Sequence, residues 1–91
     1  MNPSLHKTRI FIQEMIPNEA ISFIKSLCLP KIQEFIVIKM DVNRLSAWET
    51  IDAMELELHF FTSHTSVIRY HKKALATITK ALKKSIENDT L

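Results

Sequence analysis

The sequence predicts an α+β fold in the order strand, helix, strand, strand, helix, with a three-stranded, mostly antiparallel sheet and two helices on one face. Three observations predict it. Leu56, Leu58 and Phe60 alternate with polar residues, which is the period of a strand with one buried face. Residues 34–42 are rich in β-branched and aromatic side chains. After Ser63 the apolar period lengthens to that of a helix.

The first half of the chain is expected to supply one strand and one helix. We expect residues 1–7 to be a loose N-terminal tail. Residues 8–13 predict a short strand, because β-branched and aromatic residues follow one another there without a breaker. Pro17 indicates the start of a helix, since the apolar residues after it recur at helical spacing. Pro30 disfavours helical geometry in the residue before it and ends this helix.

The second half is expected to supply two strands and the longer helix. Residues 34–42 and about 53–62 are the second and third strands, joined by a turn that contains Trp48. Ser63 or Thr65 can cap the last helix, which runs to about residue 87. Its inward face is predicted from residues at helical spacing: Val67, His71, Ala74, Leu75, Ile78, Ala81 and Leu82.

Composition indicates one small domain over residues 1–91 and excludes several classes of site. The chain has no Gly, which rules out the glycine-rich loops that cradle phosphates. We therefore expect turns that need a positive φ to fall on Asn18 and Asn43. Cys28 is the only cysteine, so no internal disulfide can form. A lone cysteine, no long apolar run and no leader-like N-terminus together favour the cytoplasm, or the nucleus in a eukaryote.

The chain shows no grouping of residues that is typical of an enzyme or a metal site. No two of the four histidines have the three- or four-residue helical spacing that would bring them to one metal ion. We expect no catalytic residues, no metal and no cofactor. The sequence favours binding or scaffolding over catalysis.

Charge is concentrated in the last helix. The net charge of +2 is too small to indicate nucleic-acid binding by itself. Between residues 64 and 86, however, six Lys or Arg occur without an acid, just after an acidic stretch. We expect Arg69, Lys72 and Lys73 to bind nucleic acid. Lys83 and Lys84 sit where lysines complement a helix dipole.

Aromatic and apolar residues supply two further predictions. Tyr70 and Trp48 can stack on bases, although a single Trp near a hairpin more often packs over a sheet edge. The apolar faces of both predicted helices are expected to serve the core and a protein partner. The residues expected at that partner interface are Phe23, Ile24, Leu27, Leu75, Ile78 and Leu82.

The order of these elements resembles the small dimerising subunit of the KEOPS (EKC) complex, the CTAG/Pcc-type family. The resemblance spans about residues 8–87, and Ile68-Arg69 after the third predicted strand is its most specific feature. Arg9-Ile10-Phe11-Ile12 and Pro17-Asn18-Glu19-Ala20 add weaker support. Lys73-Ala74 stands where the family usually has a small polar pair, and the predicted hairpin is longer. The resemblance therefore leaves three alternatives open: the ordinary subunit, a divergent form of it, or a paralogue.

The resemblance implies a non-catalytic, accessory role in making threonylcarbamoyladenosine in tRNA. Such a subunit packs its helices on the ATPase-like transferase subunit. Its sheet pairs with a second copy or with a paralogous subunit. It also aids tRNA binding, for which Arg69 matches the family position.

A helix-turn-helix interpretation is the alternative. Residues 29–46 and 63–75 resemble the motif of sigma-factor region four and of small phage regulators. Such a regulator would contact DNA with Ser66, Arg69, Tyr70 and Lys73. The alternation in residues 54–60 and the long spacing between the two pieces count against it. A protein that only occludes another protein is a third possibility.

Overall fold

The computed structural model describes residues 3–89, with side chains to residue 85, and no strand occurs among them. The elements are α1 (Pro3–Glu14), α2 (Pro17–Ser26), α3 (Lys31–Val37), a π-helical turn (Ile38–Val42, the π-turn), α4 (Ala47–Leu58) and α5 (His64–Asp89). The predicted α+β fold with a three-stranded sheet is therefore wrong. The two predicted helices are confirmed as α2 and α5.

None of the three predicted strands forms in the structure, and two of them are helical throughout. Residues 8–13 lie within α1, and residues 34–42 form α3 and the π-turn. Residues 53–62 comprise the end of α4 and the connection after it. Strand propensity spans only about 1 kcal/mol in host proteins, so burial against other helices overrides it.

Burial explains why the strand-like patterns misled. Ile36 and Val37 of α3 are both fully buried, each in a different core cluster, so this helix is apolar on more than one side. Leu56 is 79% exposed, so the alternation around it does not mark a buried face. The inward residues of α4 are instead Ala47, Thr50 and Met54, at helical spacing.

The ends of the confirmed helices follow from local chemistry. Pro17 occupies the first position of α2, where its missing N–H costs nothing. The Ser63 hydroxyl accepts a hydrogen bond from the Ser66 N–H at 3.2 Å, so Ser63 caps α5 as predicted. Residues 3–7, expected as part of a loose tail, belong to α1, and residues 1–2 lie outside the described residues.

The positive φ angles do not fall where the sequence predicted them. Cys28, Arg44 and His59 adopt φ values of 54°, 62° and 52°. Asn43 has a φ of −84°, and Asn18 lies inside α2, so the prediction for both asparagines is wrong. His59 follows the last turn of α4, where a left-handed residue allows the helix to end.

Two buried clusters form the core, and α5 crosses both. The first cluster joins α1 and α2 to the middle of α5: Ile12, Ala20, Ile24, Leu29, Val37, Ala74, Leu75 and Ile78. The second joins α3, the π-turn and α4 to the start of α5: Ile36, Met40, Ala47, Met54 and Val67. Because α5 contributes to each cluster, its rotation about its own axis is fixed along most of its length.

The predicted partner interface lies largely in the chain's own core. Ile24, Leu75 and Ile78 are completely buried in the first cluster. Phe23, Leu27 and Leu82 are partly buried against the same cluster. The three buried residues thus serve the chain's own core, and the assignment of the six residues to a partner interface stays a prediction. Within residues 3–89, no helix is long and apolar enough to cross a bilayer.

Candidate nucleic-acid interface

The start of α4 is fixed by reciprocal hydrogen bonds. The Ser46 hydroxyl accepts from the Glu49 N–H at 3.1 Å, and Glu49 Oε1 accepts from the Ser46 N–H at 3.0 Å. This is a capping box, which satisfies two backbone donors at a helix end. The bond from the Ser46 N–H, followed by the Ser46 side chain, lowers the pKa of Glu49 below its ordinary value of 4.5.

Helices α4 and α5 form a helix–turn–helix pair. Residues 59–63 connect them, so the connection is slightly longer than the usual three or four residues. Met54 of α4 and Val67 of α5 are completely buried in the second cluster. Ile36 and Met40 cover them from α3 and the π-turn, so the pair belongs to a three-helix unit.

One side of α5 carries polar residues with no acidic partner. Ser66, Arg69 and Lys73 follow one another at helical spacing, with Lys72 beside them, and we call these four residues the α5 outer face. Arg69, Lys72 and Lys73 are exposed. Among the described side chains none of the three forms an ion pair. The three residues predicted to bind nucleic acid are thus brought together on one surface.

The α5 outer face is partly ordered before any ligand binds. Ser63 Oγ lies 3.0 Å from Ser66 Oγ, and Arg69 Nη2 donates to Ser66 Oγ at 3.4 Å. These contacts hold the guanidinium toward the N-terminal end of α5. Tyr70 differs from its neighbours, because its ring is partly buried against the second cluster. Only part of Tyr70 is therefore open to a ligand.

The opposite side of α5 holds a buried ionic cluster that sequence reasoning missed. Asp41 of the π-turn is completely buried, and it accepts from Arg9 Nε and from His71 Nε2, each at 2.7 Å. We call Arg9, Asp41 and His71 the Asp41 cluster. A buried carboxylate is tolerated only when it is paired and hydrogen-bonded. The cluster thereby ties α1 and α5 to the π-turn.

Nothing near Asp41 in the sequence signals its partners. It follows an apolar run, and Arg9 and His71 lie about thirty residues away on either side. The backbone around it also departs from an ordinary helix, since the Asn43 N–H bonds to the Ile38 carbonyl five residues earlier at 3.0 Å. Such π-helical turns are rare and are frequent at functional sites.

Trp48 and His64 form a second feature that the sequence did not predict. Their rings stack with centroids 4.5 Å apart and an angle of 29° between the planes. Trp48 lies in the first turn of α4 and His64 is the first residue of α5, so the stack joins the beginnings of both helices. Trp48 remains 66% exposed and covers no sheet edge, contrary to the more common role considered for it.

The histidines do not gather for a metal ion. In the part of the chain that the structure describes, no three His, Cys, Asp or Glu residues are grouped to hold one. His71 is engaged with Asp41 and His64 with Trp48. His71 is thus a hydrogen-bond partner and His64 a stacking partner of another side chain.

Comparisons with protein-family models, with curated proteins and with solved structures give no match for this chain. The resemblance to the KEOPS subunit rested on strands at residues 34–42 and 53–62, where the described residues form helices, a π-turn and a connection. The sheet that would pair two copies is thus absent from residues 3–89. The accessory role in tRNA modification stays a prediction, without that structural support.

Proposed function

We propose that this chain is a helix-turn-helix protein that binds duplex DNA with the N-terminal half of α5. The observation that carries the proposal is the α5 outer face, a cationic surface without acidic partners on the second helix of a packed helix–turn–helix pair. In such motifs the second helix enters the major groove, and its N-terminal residues contact base edges. The first helix crosses the DNA backbone.

The residues of the α5 outer face have side chains suited to distinct contacts. Arg69 presents a planar guanidinium that can donate two hydrogen bonds to guanine O6 and N7. Lys72 and Lys73 supply flexible ammonium groups that suit phosphate oxygens. The Ser66 hydroxyl can bond either to a base or to the backbone. The Tyr70 hydroxyl can contact phosphate at the edge of this surface.

The charge on α4 restricts how DNA approaches. Glu49, Asp52 and Glu55 are exposed on α4 and repel phosphate. The backbone therefore cannot run along the whole of this helix. A duplex that meets α5 and only the beginning of α4 avoids most of this repulsion.

The proposal is tested with a fluorescein-labelled duplex of 24 mixed base pairs, titrated from low to moderate salt. Arg69→Ala combined with Lys73→Ala is expected to weaken binding about tenfold or more and, through the lost Lys73 phosphate contact, to reduce the salt slope by about one. Circular dichroism is expected to stay unchanged, because both residues are exposed. Binding is followed by fluorescence anisotropy.

The matched control removes the same number of positive charges from another part of the surface. Lys25 and Lys31 are exposed on α2 and at the start of α3, and their double alanine variant is expected to bind almost as the unchanged chain does. Equal losses in both double variants would indicate attraction by net charge alone and overturn the proposal. Tighter binding of an unmodified tRNA than of the duplex would instead support the tRNA role.

A further inference from the structure

An exposed tryptophan stacks on a histidine at the beginning of the helix–turn–helix pair. Trp48 is 66% exposed, and stacking on His64 restricts its ring. No residue within the described part of the chain accepts a hydrogen bond from its indole N–H. Indole is a donor only, so this N–H needs an acceptor from outside the chain or from water.

The stack does not serve the core beneath it. Ala47 and Thr50, on either side of Trp48, face inward and are buried. The Trp48 ring lies outside them and contacts the first residue of α5. The two rings thus form an aromatic surface beside the first turn of the proposed recognition helix.

We propose that the Trp48–His64 stack contacts the sugar–phosphate backbone of duplex DNA at the edge of the groove that α5 enters. This inference rests on the proposed function. The Trp48 indole N–H donates to a phosphate oxygen, and the His64 ring fixes the direction of that donor. Half to two-thirds of the hydrogen bonds between proteins and DNA go to phosphate and sugar.

The local charges permit this contact at one position on α4. The Glu49 carboxylate is next to Trp48 in sequence, but its Oε1 bonds back to the Ser46 N–H at 3.0 Å. Asp52 and Glu55 lie about one and two turns further along α4 and are exposed. By helical spacing these two carboxylates follow Trp48 on the same side of α4, so a phosphate can reach Trp48 only past the N-terminal end of the helix.

The test uses Trp48 as its own reporter, since the chain has no other Trp. Intrinsic fluorescence and anisotropy of the labelled 24-base-pair duplex are recorded in the same titration. We expect Trp48 emission to change with the same midpoint as the anisotropy. Trp48→Phe keeps a ring and removes the N–H, and we expect about fivefold weaker binding. The salt slope stays unchanged because Trp carries no charge.

The matched control is Leu56→Ala, which removes the 79% exposed apolar residue two turns later on α4 and is expected to leave affinity unchanged. His64→Ala is expected to weaken binding as Trp48→Phe does, because the donor loses its fixed direction. Unchanged folding of both stack variants is checked by circular dichroism.

The possible results separate this inference from the proposed function. Duplex binding with constant Trp48 emission and less than a twofold effect of Trp48→Phe would overturn the backbone contact and leave the proposed function standing. If one strand of the duplex alone bound more tightly than the duplex and quenched Trp48 emission, bases would be stacking on Trp48. That result would also overturn the proposed backbone contact. No anisotropy change at low salt would overturn the proposed function, and this inference with it.

Discussion

The Asp41 cluster and the α5 outer face lie on opposite sides of one helix and differ in how their polar side chains are paired. His71 is buried and shares a carboxylate with Arg9, whereas Arg69, only two residues earlier, is exposed and contacts a serine hydroxyl. A cation paired inside the chain is committed to the fold. A cation without an acidic partner is available to a ligand, and in this helix such cations cluster on the outer side.

The two regions also differ in what they contribute to stability. Removing one partner from a buried ion pair typically costs about 3–5 kcal/mol, because the remaining charge stays buried and uncompensated. Surface charges contribute about 0–1 kcal/mol. We therefore expect substitutions on the inner side of α5 to unfold the chain and those on the outer side to change binding alone.

The largest effect is expected from Asp41→Ala. It leaves Arg9 without its ion-pair partner and the buried His71 ring without its hydrogen-bond partner. We expect a loss of about 3 kcal/mol in the free energy of unfolding, at the low end for a buried pair because the Arg9 side chain is 33% exposed. Urea denaturation followed by circular dichroism measures it. Asp52→Ala, an exposed acid on α4, serves as the control, with a change of about 0.5 kcal/mol or less. Similar losses of unfolding free energy in Asp41→Ala and Asp52→Ala would show that the Asp41 cluster contributes no more to stability than an exposed carboxylate does.

An intermediate effect is expected from Ser63→Ala, which tests how far the outer face depends on the cap of α5. The Ser66 N–H loses its acceptor, and we expect a loss of about 1 kcal/mol in unfolding free energy. Ser22→Ala in α2 removes an exposed serine that caps nothing and is the control, expected to change stability by about 0.5 kcal/mol or less. A loss as large as that of Asp41→Ala would contradict the proposed separation of stability from binding.

The smallest effect concerns Glu49, an exposed carboxylate that contrasts with Asp41. Its pKa is lowered from 4.5 by the bond from the Ser46 N–H, so its stabilising contribution is complete above pH 4.5. That contribution is lost as the pH falls through the lower folded-state pKa. We expect the difference in Tm between the unchanged chain and Glu49→Gln to shrink as the pH falls below about 4.5.

Thermal unfolding at several pH values checks this expectation. Glu55→Gln, on the same helix but without a capping bond, is the matched control. A Tm difference for Glu49→Gln that does not vary with pH would show that the capping bond does not depend on the charge of Glu49.

Some local features of the fold were predictable because local chemistry determines them. The spacing of Val67, His71, Ala74, Leu75 and Ile78 identifies the inward side of α5, and all five are buried. The same spacing places the cations outward. The Ser46-x-x-Glu49 pattern is also a local signal for the start of α4, although the alternation that follows it favours a strand.

The candidate site could be predicted only in part. Arg69, Lys72 and Lys73 share a helix face by spacing alone, whatever the rest of the fold. The Trp48–His64 stack required the turn at residues 59–63 to bring two helices together. The Asp41 cluster required contacts across about thirty residues of sequence, which no local pattern encodes.

The sequence by itself determined where α2 and α5 begin and which side of α5 faces inward, since caps and helical spacing act over a few residues. Only the tertiary structure decided that residues 8–13, 34–42 and 53–58 are helical and that Asp41 is buried with Arg9 and His71. The physical reason is that strand propensities differ among residue types by only about 1 kcal/mol, whereas burial of a large apolar side chain contributes about 1.5–3 kcal/mol and depends on distant residues.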